Sequence, residues 1–148
     1  MSHIPVNHPL RPFYRVLTAL AGIYLVVFGA VGVAKTAGTA LFARADVSVL
    51  GLRTNLAFAI ASVVAGAVIL LAAFVGRNVD ATVGVWGGIA FMVAGLAMLA
   101  VLQTDLNGAN FSLGTVVVSF LIGLVLFSAG LYVRSGSATP AAEEAIRN

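Results

Sequence analysis

The chain is 148 residues long, enough for one domain, and it is 61% apolar but only 9% charged, against about a quarter charged in an average soluble domain. So little charge cannot cover a water-soluble fold of this size, and the mean hydropathy of +1.08 points to a membrane protein instead. The net charge of +3 comes from basic residues at the ends of apolar runs, where cations anchor helices at headgroups, so no nucleic-acid partner is expected; the lack of Cys excludes disulfides and thiolate chemistry.

Residues 1–15 form a polar lead punctuated by Pro5, Pro9 and Pro12 and carrying His3, His8, Arg11 and Arg15. Proline lacks a backbone donor and holds its predecessor extended, so no stable helix is expected before Pro12. Phe13 and Tyr14 follow at the depth of an aromatic belt. The first span covers residues 16–34 without a charge; nineteen residues rising 1.5 Å each reach roughly 28 Å, the thickness of the hydrocarbon. This run is longer than the 7–15 apolar residues of a cleaved signal, so it is expected to stay as a span.

Residues 35–54 form a longer loop with Lys35, Arg44, Asp46 and Arg53, whose apolar middle, 47–52, is expected at the membrane interface. The second span covers 55–75. Residues 76–81 make a tight turn, which forces an antiparallel hairpin with the third span, 82–102. Asp105, Asn107, Gly108, Asn110 and Gly114 mark a turn-rich connection to the fourth span, 115–133. The tail, 135–148, is small and polar and is expected to be flexible, although Pro140 is compatible with a short helix carrying Glu143 and Glu144. All eight Lys and Arg and all five Asp and Glu fall outside the four spans. The runs are long and do not alternate with period two, so they are helices rather than strands.

The expected fold is therefore all-α: a polytopic membrane four-helix bundle over 16–134, antiparallel up-down-up-down, with both termini on the same side. Arg11, Arg15, Arg77, Arg134 and Arg147 fall on the side of the termini and Lys35, Arg44 and Arg53 on the other. That imbalance favours cytoplasmic termini. Only Lys35 among the eight basic residues is lysine, a bias of GC-rich bacteria, so a bacterial cytoplasmic membrane is the expected location.

Small residues recur every seven positions: Gly22 and Gly29; Ala59, Gly66 and Ala73; Gly88 and Gly95; Gly123 and Gly130. Seven residues are two helical turns, so each set lines one face. Lipid tails are as apolar as the helices, so association depends on close packing, which small residues permit; the spacing suits left-handed crossings near +20°. Gly84 and Gly88 also form a GxxxG step, a spacing found on dimer faces. Ser62-x-x-x-Gly66 resembles Ser119-x-x-x-Gly123, a hint of a duplicated hairpin.

The spans offer no ionisable residue of the kind that transporters and proton relays hold toward a cavity. Away from the ends of the spans the polar groups are Thr18, Tyr24, Ser62, Trp86, Ser119 and Ser128. Thr18, Ser62 and Ser119 are candidates for interhelical polar contacts, with hydrogen bonds back to their own helices as the competing role. A serine without a basic partner is not an activated nucleophile, and both histidines, His3 and His8, lie in the lead. Two histidines and the N-terminal amine fall short of a metal site. Arg77 and Asp80 are spaced to pair in the tight turn, whereas Asp46 and Asp105 are too far apart in sequence to read as a carboxylate pair. No phosphate loop, metalloprotease helix or dinucleotide motif is present, so neither enzymatic activity nor a cofactor or metal is expected.

Several stretches resemble a family of actinobacterial four-span integral membrane proteins classed as a domain of unknown function. They are Val-Asn-His-Pro-Leu-Arg-Pro-Phe-Tyr-Arg (6–15), Val-Leu-Gly-Leu-Arg-Thr-Asn-Leu-Ala-Phe (49–58), Gly-Arg-Asn-Val-Asp (76–80), Leu-Gln-Thr-Asp-Leu-Asn (102–107) and Val-Val-Ser-Phe-Leu-Ile-Gly-Leu (117–124). The resemblance implies the four-span fold and brings no activity. Many members carry an Asn-x-x-His-Asn-x-x-His-like pattern at the start of the second span; Asn55 is retained here, but Phe58 and Ser62 replace the histidines. The expected function is structural or accessory: a small bundle in the lipid bilayer that packs as a homo-oligomer or in a larger membrane complex. The alternative is an oligomeric passive channel or small-solute permease with Ser62, Ser119 and Thr18 lining its path.

Overall fold

A computed structural model describes residues 6–44 and 46–136. His3, Pro140, Glu143, Glu144 and Arg147 lie outside the described residues. The elements are α1 (Arg11–Thr36), β1 (Ser48–Val49), β2 (Leu52–Arg53), α2 (Leu56–Val75), α3 (Val79–Val101) and α4 (Leu113–Tyr132). All four helices are long and apolar enough to cross a membrane.

Helices α1, α3 and α4 start before their apolar stretches, and α1 also ends beyond its own. Pro12 sits in the first turn of α1, where a missing N–H breaks no bond, so the helix starts at Arg11; it runs past Lys35, whose cation suits the negative end of the helix dipole. At the start of α3, Asp80 occupies the first turn, where a carboxylate faces the positive end. Asn55 caps α2, its Oδ1 accepting from Phe58 N at 2.9 Å, and its Nδ2 reaches Gly108 O at 2.8 Å. A capping box between Ser112 and Thr115 starts α4.

The first long loop of this all-α chain carries a short β element. Residues 48–53 form a small antiparallel hairpin, pairing Ser48 with Arg53 and Val49 with Leu52. Leu50 and Gly51 take φ of 51° and 79° at its turn, the left-handed pair that suits the twist of a two-residue loop. The apolar middle of this loop, expected at the interface, packs on the bundle. Val49 and Leu52 are buried at 2% and 8% exposure and pack with Phe28, Phe58 and Val118, because alternation along the ribbon turns both toward the bundle.

Hydrogen bonds gather the connections into two groups. Asn7 N donates to Arg134 O, Asn7 and Gly136 exchange bonds, and Asn78 holds Ser135 through both its amide atoms. The lead, the α2–α3 turn and the residues after α4 therefore meet at one end. At the other, Lys35 reaches Ser48 O, Arg53 pairs with Asp46 at 3.4 Å, and Arg44 pairs with Asp105 and donates to its carbonyl. Asp46 and Asp105 thus each face an arginine rather than one another.

Along their lengths α1 packs chiefly on α2, and α3 on α4; contact between the two pairs is sparser. Both tight pairs use the same device. A Cβ added at Gly22 would stand 3.1 Å from Gly66 O, and one at Gly66 would stand 2.8 Å from Gly22 O. Across the other pair, Gly88 would meet Gly123 O at 2.7 Å and Gly123 would meet Gly88 O at 2.9 Å. The flanking contacts match as well: Leu70 and Val26 in the first pair stand where Phe127 and Met92 stand in the second. Ser62 and Ser119 thus occupy equivalent positions, and the hint of a repeat becomes two hairpins in one register. Gly29 faces Ala59 and Val63, Gly95 faces the Phe120 ring, and Gly130 lies against Gly84 and Val85. Gly84 and Gly88 are both used inside the α3–α4 contact, so their GxxxG step presents no face to a second copy.

Gly66→Leu and Gly123→Leu place side-chain atoms on a facing backbone that cannot move aside, and each is expected to cost about 3 kcal/mol, the upper end for overpacking. Gly87→Ala is the matched control. Its added methyl would meet only Leu126 at 4.0 Å, and alanine is the better helix former by up to about 1 kcal/mol. Thermal unfolding in mild detergent should show a lower midpoint for both leucine variants and an equal or higher one for Gly87→Ala.

Candidate functional site

Where the two hairpins meet they leave a partly open cavity of about 250 Å³. It lies in the half of the bundle nearer the β-hairpin, with Leu52 on its wall. Phe28, Phe58 and Phe111 form an edge-to-face chain on that side, with ring centroids 5.7 and 5.2 Å apart. The cluster of Leu25, Ile69 and Leu126 fills the bundle core, with Tyr24, Phe91 and Ile122 packed against it.

The wall is almost wholly apolar. Its polar side chains are Tyr24, Ser62, Thr115 and Ser119. Ser119 Oγ donates across the interface to Phe91 O of α3 at 2.8 Å, whereas Ser62 Oγ donates within α2 to Phe58 O at 2.8 Å. Thr115 Oγ1 is engaged in the capping box with Ser112. Tyr24 Oη makes no hydrogen bond to a described residue. Thr18 is not on this wall: it is buried near the start of α1 and bonds back to Tyr14 O at 3.1 Å. The structure thus places Ser62 and Ser119 together and Thr18 apart. Ser119 was a candidate by type, but its acceptor left no signal in the sequence, because every residue carries a main-chain carbonyl.

Sequence reasoning missed one polar cluster. Asp80 is fully buried, and its partner is Arg15 of α1 rather than Arg77 in the same turn. Arg77 takes φ of 51° and is exposed, while Arg15 lies across the turn from α1. Arg15 Nε stands 3.5 Å from Asp80 Oδ2, an ion-pair separation, but that oxygen accepts no hydrogen bond among the described residues. Asp80 Oδ1 accepts from Ala81 N at 3.0 Å. The same guanidinium donates to Ala73 O at 2.6 Å and to Phe74 O at 3.3 Å, closing the open carbonyls at the end of α2. Arg11 does likewise for α4, its Nε reaching Val133 O at 2.8 Å. Gly76, with φ of 62°, leaves room for Arg15: a Cβ there would stand 3.1 Å from the guanidinium. His8 packs edge-on to Tyr132 and Tyr14, which stack on each other at 4.9 Å.

Removing one partner of a fully buried pair costs about 3–5 kcal/mol. The Arg15 side chain is 35% exposed, so water screens the loss, and Arg15→Ala is expected to cost about 2 kcal/mol. Asp80→Asn keeps an acceptor for Ala81 N and leaves Arg15 on its carbonyls, so it should cost less than about 1 kcal/mol. Thermal unfolding in detergent checks the order; equal losses would show that the guanidinium acts only through Asp80.

No family model, no curated relative and no solved structure matches this chain.

Proposed function

We propose that this chain is a non-catalytic accessory protein of a bacterial cytoplasmic membrane, an up-down-up-down bundle with both termini in the cytoplasm. It packs with copies of itself or within a larger membrane complex. The observation that carries this reading is where the charges stand. Tyr24 is the lone titratable side chain among the residues of the cavity wall, and no carboxylate, histidine or cation joins it there. Transporters and proton relays hold such groups toward a cavity, and catalysis needs a converging set of them. The buried carboxylate of Asp80 faces Arg15 beside helix ends instead.

The orientation is supported by the two ends of the bundle. Arg11, Arg15, Arg77 and Arg134 share one end with Asp80, while Lys35, Arg44 and Arg53 share the other with Asp46 and Asp105. The basic excess therefore lies with the termini, as cytoplasmic segments require. The family resemblance, with Phe58 and Ser62 in place of histidines, fits a bundle without metal or proton chemistry. Since the glycine faces are used internally, outward contacts fall to large side chains such as Leu71, Phe74 and Trp86.

Purification of the full chain in mild detergent should give a homo-oligomer or a complex with a defined membrane partner. After reconstitution, small-solute flux should match that of empty liposomes. Flux above that level, reduced by Ser119→Leu, would replace this reading with a permease.

A further inference from the structure

The two hairpins share a register but not their side chains, and the difference opens one seam of the bundle. Superposing the glycine pairs makes Ala61 and Ala65 of α2 equivalent to Val118 and Ile122 of α4. It likewise makes Ala90 and Ala94 of α3 equivalent to Tyr24 and Phe28 of α1. All eight line the cavity. The α1–α4 seam is therefore built from Tyr24, Phe28, Val118 and Ile122, and Val118 packs on the Phe28 cluster. The α2–α3 seam has alanine at every equivalent position. Ala61 and Ala90 are exposed, and Ala65 and Ala94 are half-buried, although all four belong to the cavity wall. The cavity thus opens sideways, between α2 and α3, at the depth of the hydrocarbon if the helices cross a bilayer.

We propose that this cavity is a binding site for one hydrocarbon chain of a bilayer phospholipid, which enters between α2 and α3 through the alanine window. Water is a poor occupant, because a buried water needs two to four polar partners. The Ser62 and Ser119 hydroxyls have committed their protons to carbonyls and Thr115 is held in its capping box, so Tyr24 Oη is the wall hydroxyl with no hydrogen bond among the described residues. Vacancy is poor too: the space exceeds the roughly 150 Å³ apolar cavity that takes up benzene. An acyl chain meets both conditions, needing no hydrogen bonds and lying beside the opening. Charged or strongly polar ligands would find nothing on the wall to replace their hydration. The inference rests on the membrane-spanning reading, and the test separates the two.

The full chain is reconstituted in phosphatidylglycerol and phosphatidylcholine vesicles doped with a phospholipid bearing a diazirine within one acyl chain. After photolysis, adducts are mapped by mass spectrometry. Adducts on the outward-facing Val64, Leu71 and Phe74 report that the helices lie in lipid. Adducts on Tyr24, Phe58 and Phe91 report an occupied cavity. The expected result is both sets in the natural sequence, and loss of the cavity set alone in Ala61→Phe/Ala90→Phe, whose exposed positions can take rings without touching the glycine contacts. A separate arm uses a diazirine fatty acid. The proposal is overturned if outward residues are labelled but cavity residues are not, if the plugged variant labels the cavity equally, or if the free fatty acid alone reaches it. Failure to label even the outward residues would overturn the membrane reading instead.

Discussion

Helices surrounded by hydrocarbon gain nothing by hiding apolar surface from one another, so they hold together only as well as their shapes fit. Here the fit is made where backbone meets backbone. Gly22 against Gly66, and Gly88 against Gly123, bring main-chain atoms to separations that no side chain would allow. Everything larger follows from these two crossings. They make two hairpins, set both in one register, and leave the space between the hairpins to be filled, or not, by the residues beyond the glycines. The cavity is the part left unfilled.

The second constraint is that a helix ends with carbonyls that nothing within it can satisfy. Arg11 and Arg15 answer it from neighbouring turns of α1, one reaching the end of α4 and the other the end of α2. Cations suit these sites because helix C-termini carry partial negative charge. Arg15 also faces Asp80 at the start of α3, so one side chain joins three helices. At the opposite end amides add to the ion pairs: Asn55 ties α2 to the α3–α4 connection, and Asn107 closes that connection on itself.

Apolar length and charge placement were enough to find the four helices in the sequence, because oil penalises a charge and an unpaired peptide group so heavily that few patterns survive. Gly22, Gly66, Gly88 and Gly123 stand where helix meets helix, at the seven-residue steps that close packing uses. The exact ends were less legible. Pro12 and Asp80 sit inside helices because first-turn positions tolerate a missing donor and favour a carboxylate, and neither preference shows in hydropathy. The β-hairpin was hidden because Val49 and Leu52 read equally as an interfacial loop. Of the cavity, Ser62 and Ser119 could be picked out by type, but the alanine seam could not. Ala61, Ala65, Ala90 and Ala94 look like ordinary membrane residues until the register of the two hairpins shows what stands opposite each of them.

Arg15 also ties the order of synthesis to the order of assembly. Arg15 and Ala73 both precede Asp80 in the chain, so the guanidinium and the carbonyl it caps are made before the carboxylate. Asp80 is made after the cation that it faces in the folded bundle. Asn78 and Arg11 find Ser135 and Val133 only after the last helix is made. The knot at this end of the bundle is thus tied in sequence, and its last bonds wait for α4.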